Sequence, residues 1–163
     1  MILPHPGHLD PAIPGMSDLL TAAGRARLAG FYQDTLRCDV VPFWLRHGMD
    51  RQHGGIFTAL DRDGSLLDTD KSVWFQGRAG WNFSTLFNTV EPRGDWLDAA
   101  RSCVEFSLRH CHGPGGKMWF PVTREGAPLR MRRYVFSEAF AAISYAAYAM
   151  ATGDPEMDRR QQV

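Results

Sequence analysis

Charge of one sign is what this 163-residue sequence lacks first: 18 Lys and Arg balance 18 Asp and Glu, for a formal net charge of zero. That balance argues against a nucleic-acid or anionic-membrane partner, either of which favours a basic excess. Long hydrophobic runs are missing too, and none approaches the roughly 20 residues of a membrane span. The opening Met1-Ile2-Leu3-Pro4-His5-Pro6 has neither the basic flank nor the continuous apolar run of a signal peptide. Cysteine is scarce and odd in number, with Cys38, Cys103 and Cys111 each in or at the end of a helical pattern. Reduced thiols in a cytoplasmic protein are therefore expected rather than a disulfide framework.

Aromatic residues are plentiful, with five Trp, and several lie in or near one stretch from Lys71 to Phe83. Read at 3.6 residues per turn, Trp74, Arg78 and Trp81 share one face of a helix. Val73, Gly77, Gly80 and Phe87 share a neighbouring face. A helix apolar nearly all round is expected to be buried. Its two glycines admit another backbone or a ligand, at roughly 1 kcal/mol each against Ala. Arg78 then needs a carboxylate partner or a polar cavity. One reading is a structural Arg, paired and packed on Trp. The other is a pocket floor, with aromatic walls and a fixed cation for an oxygen that becomes negative.

The rest of the chain sorts around that stretch. Residues 1–16 form a Pro/Gly-rich lead-in, expected to be extended or disordered. Ser17 is placed to cap a helix over about 18–46, with Leu28, Phe31, Leu36, Val40 and Trp44 among its apolar positions and Pro42 kinking or dividing it. A loop from Asp50 to Gly55 leads to a strand at 56–60, a turn at Asp61-Arg62-Asp63-Gly64 and a return at 65–67. The apolar helix is expected over about 71–90. Residues 95–110 make an amphipathic helix. Trp96, Leu97, Ala100, Cys103, Val104, Ser107, Leu108 and Cys111 lie on one side, and Asp98, Arg101, Glu105 and Arg109 face water. A strand at 118–122 turns at Arg124-Glu125-Gly126 and returns over 127–131. A second apolar helix, about 133–152, ends at Gly153.

Two units emerge. The run from Phe57 to Gly64 recurs as Phe120 to Gly126, and Lys71 and Arg133 open the two apolar helices. Each unit is an amphipathic helix, a loop with a hairpin, and an apolar helix. The expected architecture is all-α: an α/α toroid, with amphipathic helices outside, apolar helices inside and short β-hairpins on one rim. At about 62 residues per unit the chain supplies about two and a half hairpins, too few to close a ring. Residues 17–163 are thus read as the N-terminal portion of an α/α barrel domain.

At this point the sequence resembles the N-acylglucosamine 2-epimerase family. The likeness rests on Val41-Pro42-Phe43-Trp44, Asp50-Arg51 with His53-Gly54-Gly55, Asp61 through Gly64, and Lys71 with Val73-Trp74. Gln76-Gly77-Arg78 with Trp81, Thr123-Arg124-Glu125-Gly126, and Arg132-Arg133 with Phe136-Ser137-Glu138 complete it. The resemblance implies an (α/α)6 barrel and reversible epimerisation at C2 of a reducing sugar, N-acetylglucosamine and N-acetylmannosamine being the type pair. It places Arg78 at the reacting end of the sugar, and Phe136 and Glu138 near the pocket. The family's two acid/base histidines come from later helices, which this chain does not reach. No cofactor or metal is implied; His110-Cys111-His112 does not have metal-ligand helical spacing.

The chemistry fits a fixed cation. Removing the C2 proton beside an aldehyde puts negative charge on O1, and Arg78 is the candidate to stabilise it. Removal and return on opposite faces calls for two groups with pKa near neutrality, hence two histidines. Trp74 and Trp81 either stack on a pyranose or pack the inner helix. Glu138 either bonds a sugar hydroxyl or pairs with Arg78 or Arg133. Asp50, His53, Gly54 and Gly55 are read as shaping the rim loop. Two other readings compete: a catalytically inactive carbohydrate- or protein-binding fragment, and a toroid glycosidase, which would need two buried acids. An open array exposes apolar faces of its inner helices, so the isolated chain is expected to be a homo-oligomer, poorly soluble or partly molten.

Overall fold

The computed structural model describes residues 20–131 and 135–154. The lead-in, the Ser17 cap, Arg132, Arg133 and everything after Asp154 lie outside the described residues. The chain divides into two compact units, one ending at Phe43 and the other starting at Trp44.

In the first unit, helix α1 (Ala22–Thr35) opens on Thr21, whose hydroxyl accepts the Gly24 amide at 2.9 Å. A short oxygen acceptor there satisfies one of the free amides of the first turn. A five-residue π-helical stretch, Leu36–Val40, leads to α2 (Val41–Phe43). Pro42 has no N–H to give and its ring crowds the preceding turn. The division expected at Pro42 takes the form of widened turns, since a second π stretch, Trp44–Gly48, begins the other unit.

The second unit carries the rim and three long helices. Strand β1 (Ala59–Leu60) pairs antiparallel with β2 (Leu66–Asp68). The tight turn between them is closed by Gly64 at φ +88°, a conformation glycine adopts without penalty. Strand β3 (Lys71–Ser72) pairs antiparallel with β4 (Pro121–Val122), Lys71 opposite Val122. Helices α3 (Val73–Thr89), α4 (Gly94–His110) and α5 (Phe136–Thr152) follow in order, and Gly153 ends α5 in the left-handed region.

Two boundaries differ from the sequence reading. Lys71 and Ser72 belong to a strand rather than to the helix, because their backbone is drawn to β4. Ile56 does not join the first hairpin ladder; it bridges back to Met49, and Met118 likewise bridges to His112. The repeat is visible in these bridges. It is visible again in the turns, where Gly64 lies against the His47 ring and Gly126 against the His110 ring.

Helix α3 packs along both α4 and α5. Helix α4 keeps its expected stripe, with Trp96, Ala100, Cys103, Val104 and Ser107 buried and Asp98, Arg101, Glu105 and Arg109 exposed. Phe106, off that stripe, is buried as well. The contact of α3 with α5 is backbone against backbone: a Cβ on Gly77 would lie 2.7 Å from the carbonyl carbon of Phe140. Gly80 lies against the Ser144 side chain, with Val104 beside it. The glycines therefore admit a neighbouring helix.

Helix α3 is not buried all round, contrary to expectation. Arg78, Trp81 and Asn82 are exposed, and α5 exposes Phe136, Ile143 and Met150. The physical reason is that α4 and α5 cover only the side carrying Val73, Gly77, Gly80 and Phe83. Gly77→Ala forces a methyl into the Phe140 backbone, where neither helix has a flexible side chain to move aside. Its expected cost is about 1–3 kcal/mol, read as a lower urea midpoint, and an unchanged midpoint would contradict the close approach.

Candidate active site and its rim

The rim is tied by a buried cluster of charges at the start of α3. Asp50 turns its own loop, exchanging backbone bonds with Gly54 and Gly55 at 2.9 and 3.0 Å. Its Oδ1 accepts the amides of Gln52 and His53. Lys71 Nζ donates to Asp50 Oδ2 at 2.9 Å, to the Gly54 carbonyl at 2.7 Å and to the Arg124 carbonyl at 2.8 Å. Three acceptors require three N–H donors, so Lys71 is an ammonium with none left for chemistry. Arg124 grips the same carboxylate with two bonds, Nε to Oδ2 at 2.9 Å and Nη2 to Oδ1 at 3.1 Å. Lys71 also stands 4.2 Å above the centre of the Phe106 ring, and Gly55 lies against the same side chain.

Burial opposes ionisation of Asp50. The bonds from Arg124, Lys71 and the two amides outweigh it and hold the carboxyl well below the usual carboxylate range. Both Asp50 and Lys71 side chains are fully buried. Beside this cluster, Gln76 clamps Ile56 with both ends of its amide, accepting the N–H at 2.8 Å and donating to the carbonyl at 2.7 Å. The Asp50 loop is therefore held by a structural knot.

The sequence-predicted site residues separate into two groups. Trp74 sits among rings, with centroids 5.0 Å from Phe120, 5.4 Å from Phe136 and 6.2 Å from Phe140. Arg78 lies on the same face, its guanidinium carbon 4.4 Å from the centre of Phe140. Among the described residues no salt bridge involves Arg78, so the structural pairing weighed for it does not form there. Nor does Arg78 lie between two indoles in a buried helix: it is exposed, and so is Trp81. Glu138 does not pair with Arg78. Its Oε1 accepts the Met118 amide at 2.8 Å, and Arg133 lies outside the described residues. The structure thus brings Trp74, Arg78 and Phe136 to one aromatic face, while Glu138 turns to the rim.

Three histidines, His47, His110 and His112, are engaged elsewhere. His47 and His110 support the two turns. Burial pushes His110 below its ordinary value, with Arg109 and Lys71 adding to the effect. His112 bonds Tyr145 at 3.1 Å, and that hydroxyl bonds Ser107 at 2.8 Å. Burial lowers His112 also, with Glu138 opposing. Cys103 and Cys111 are buried free thiols pushed up to about 12, chiefly by desolvation, and are inert at neutral pH. No helix among the described residues is long and apolar enough to cross a membrane.

Comparison with known proteins decides the family. The family model for N-acylglucosamine 2-epimerase matches residues 55–162. The chain belongs to the N-acylglucosamine 2-epimerase family. It is 41% identical over 119 residues to the mouse N-acylglucosamine 2-epimerase, a match covering 71% of this chain and 28% of that protein. The chain thus spans less than a third of this relative's length. Among solved structures, a sugar epimerase from a ruminal bacterium matches 78% of this chain and 33% of its own, with a TM-score of 0.71 at 26% identity. The cellobiose 2-epimerase of Spirochaeta thermophila matches 81% of this chain and 33% of its own, with a TM-score of 0.72 at 26% identity. The helical hairpins and rim described above are therefore part of the α/α toroid these epimerases share.

The knot makes an acid-dependent prediction. Asp50 titrates lower when folded than its unfolded value of about 3.9, so its stabilisation is complete above that pH and is lost as pH falls toward the folded value. Asp50→Asn leaves Lys71 buried without its counter-charge and is expected to cost about 3–5 kcal/mol at pH 7. The gap from wild type should narrow as the pH drops below about 4. A gap independent of pH, by urea denaturation, would show that the carboxylate charge does not matter.

Proposed function

We propose that residues 17–163 are the N-terminal portion of a sugar 2-epimerase barrel, which epimerises C2 of a reducing sugar of the N-acetylglucosamine/N-acetylmannosamine kind or a related aldose. The observation that carries this reading is Arg78: an unpaired cation, among the described residues, on the aromatic face that includes Trp74 and Phe136. Family membership and the 41% identity to an N-acylglucosamine 2-epimerase support it.

The reaction removes the C2 proton, moves its electron pair into the C1–C2 bond and leaves negative charge on O1. Arg78 stabilises that charge through a guanidinium that stays protonated and so cannot serve as the base. Trp74, Trp81 and Phe136 offer faces to the apolar side of the sugar ring. Two histidines from the remainder of the barrel exchange the proton on opposite faces. No cofactor enters. Residues 17–163 supply the binding groups and the cation, and the base pair comes from the remainder of the barrel.

In the complete barrel, Arg78→Ala should lower turnover by roughly 100-fold or more, because one preorganised charge contact is commonly worth several kcal/mol in the transition state. Deuterium uptake at C2 of N-acetylmannosamine in D₂O should fall in parallel. Turnover near wild type would remove Arg78 from the mechanism. The exposed Trp81, Phe136, Ile143 and Met150 side chains further predict that the isolated chain self-associates. Light scattering should then report a mass above the monomer, and a strictly monomeric sample would remove that part of the proposal.

A further inference from the structure

We infer that Glu138 is a positioning residue: it fixes Met118 at the entry to the second rim hairpin in the way Gln76 fixes Ile56 at the entry to the first. The correspondence is built from contacts. Ile56 bridges to Met49 and Met118 bridges to His112, each just after a helix ends. Each hairpin then turns on a glycine packed against a histidine, Gly64 on His47 and Gly126 on His110. Each following helix has an aromatic residue in its first turn, Trp74 or Phe136, two positions before the side chain that reaches back to the rim. Gln76 Oε1 accepts the Ile56 amide at 2.8 Å, and Glu138 Oε1 accepts the Met118 amide at the same 2.8 Å.

The two residues differ in their second atom. Gln76 Nε2 donates to the Ile56 carbonyl at 2.7 Å. Glu138 has an oxygen in that role, and Glu138 Oε2 is buried with no hydrogen-bond partner among the described residues. A carboxylate holds Met118 by one bond where the amide holds Ile56 by two. What Glu138 holds matters to the aromatic face. Met118 is buried, and two residues on, Phe120 places its ring 5.0 Å from Trp74. Trp74 in turn meets Phe136 and lies one helical turn before Arg78. Glu138 therefore acts on the proposed sugar site through Phe120 and Trp74 rather than by touching a sugar, and only this last consequence rests on the epimerase proposal.

The test compares Glu138→Ala and Glu138→Gln in the chain itself, reading amide hydrogen exchange at Met118 and the melting temperature without any sugar. Glu138→Ala should speed Met118 exchange by about tenfold or more, since a buried amide loses its acceptor. Glu138→Gln should keep Met118 protected and raise the melting temperature by about 2–4 °C, because its new N–H can meet the Met118 carbonyl. Unchanged exchange in Glu138→Ala would overturn the inference, and so would Glu138→Gln exchanging as fast as Glu138→Ala. A second arm uses the complete barrel. There Glu138→Gln should restore the KM that Glu138→Ala raises. A 100-fold loss of kcat/KM in Glu138→Gln with Met118 still protected would place the carboxylate on the sugar and sink the positioning role. The exchange arm needs neither sugar nor turnover, so it stands apart from failure of the epimerase proposal.

Discussion

The ion pair of Asp50 and Lys71, taken wholly out of water, is the constraint on which the rim depends. Moving two charges into a protein interior is unfavourable unless every donor and acceptor is matched. Here the matching is complete for the ammonium, and the carboxylate is gripped by Lys71, Arg124 and two loop amides. The partners come from three parts of the chain: the loop after the first helical run, the strand that leads into α3, and the turn of the second hairpin. Replacing the cluster by apolar groups would satisfy the core but would not specify which loop meets which. A charge network with fixed geometry does, and it sets the starting point of the helix that carries Trp74 and Arg78.

The second theme is one scaffold used twice with different side chains. Gln76 and Glu138 reach back to equivalent rim positions, and the turn glycines rest on equivalent histidines. Two residues past each reaching side chain the copies part company. Helix α3 has Arg78 and α5 has Phe140, and the guanidinium lies over that ring. A repeat supplies the frame while single positions supply the chemistry, which is why fold and function have to be argued separately.

Much of this was legible in the sequence because it is local or periodic. The stripe of α4, the turn glycines, the recurrence of Phe57–Gly64 at Phe120–Gly126 and the close approach at Gly77 and Gly80 all follow from residue spacing. The knot was not legible. Its partners are 21 and 53 positions apart in the chain, and no period joins them. The exposure of Arg78 was missed for a related reason. An apolar helix looks buried all round, yet which of its faces is covered depends on which neighbours pack there, and α4 and α5 take only one side. Phe106 escaped because it faces the rim, against Gly55 and Lys71, rather than the expected stripe. For the site, residue types pointed to Arg78 and the aromatic face, whereas Glu138 became interpretable only through its contact with Met118.

One charge cluster joins three segments into a single rim. Native-state hydrogen exchange across residues 54–57, 71–73 and 122–124 tests it most directly, because segments held by one network open together. Protected amides in the three segments should share one opening free energy and lose it together when Arg124 is replaced by Gln. Three distinct opening energies, with the loop and β3 unaffected by that replacement, would contradict it.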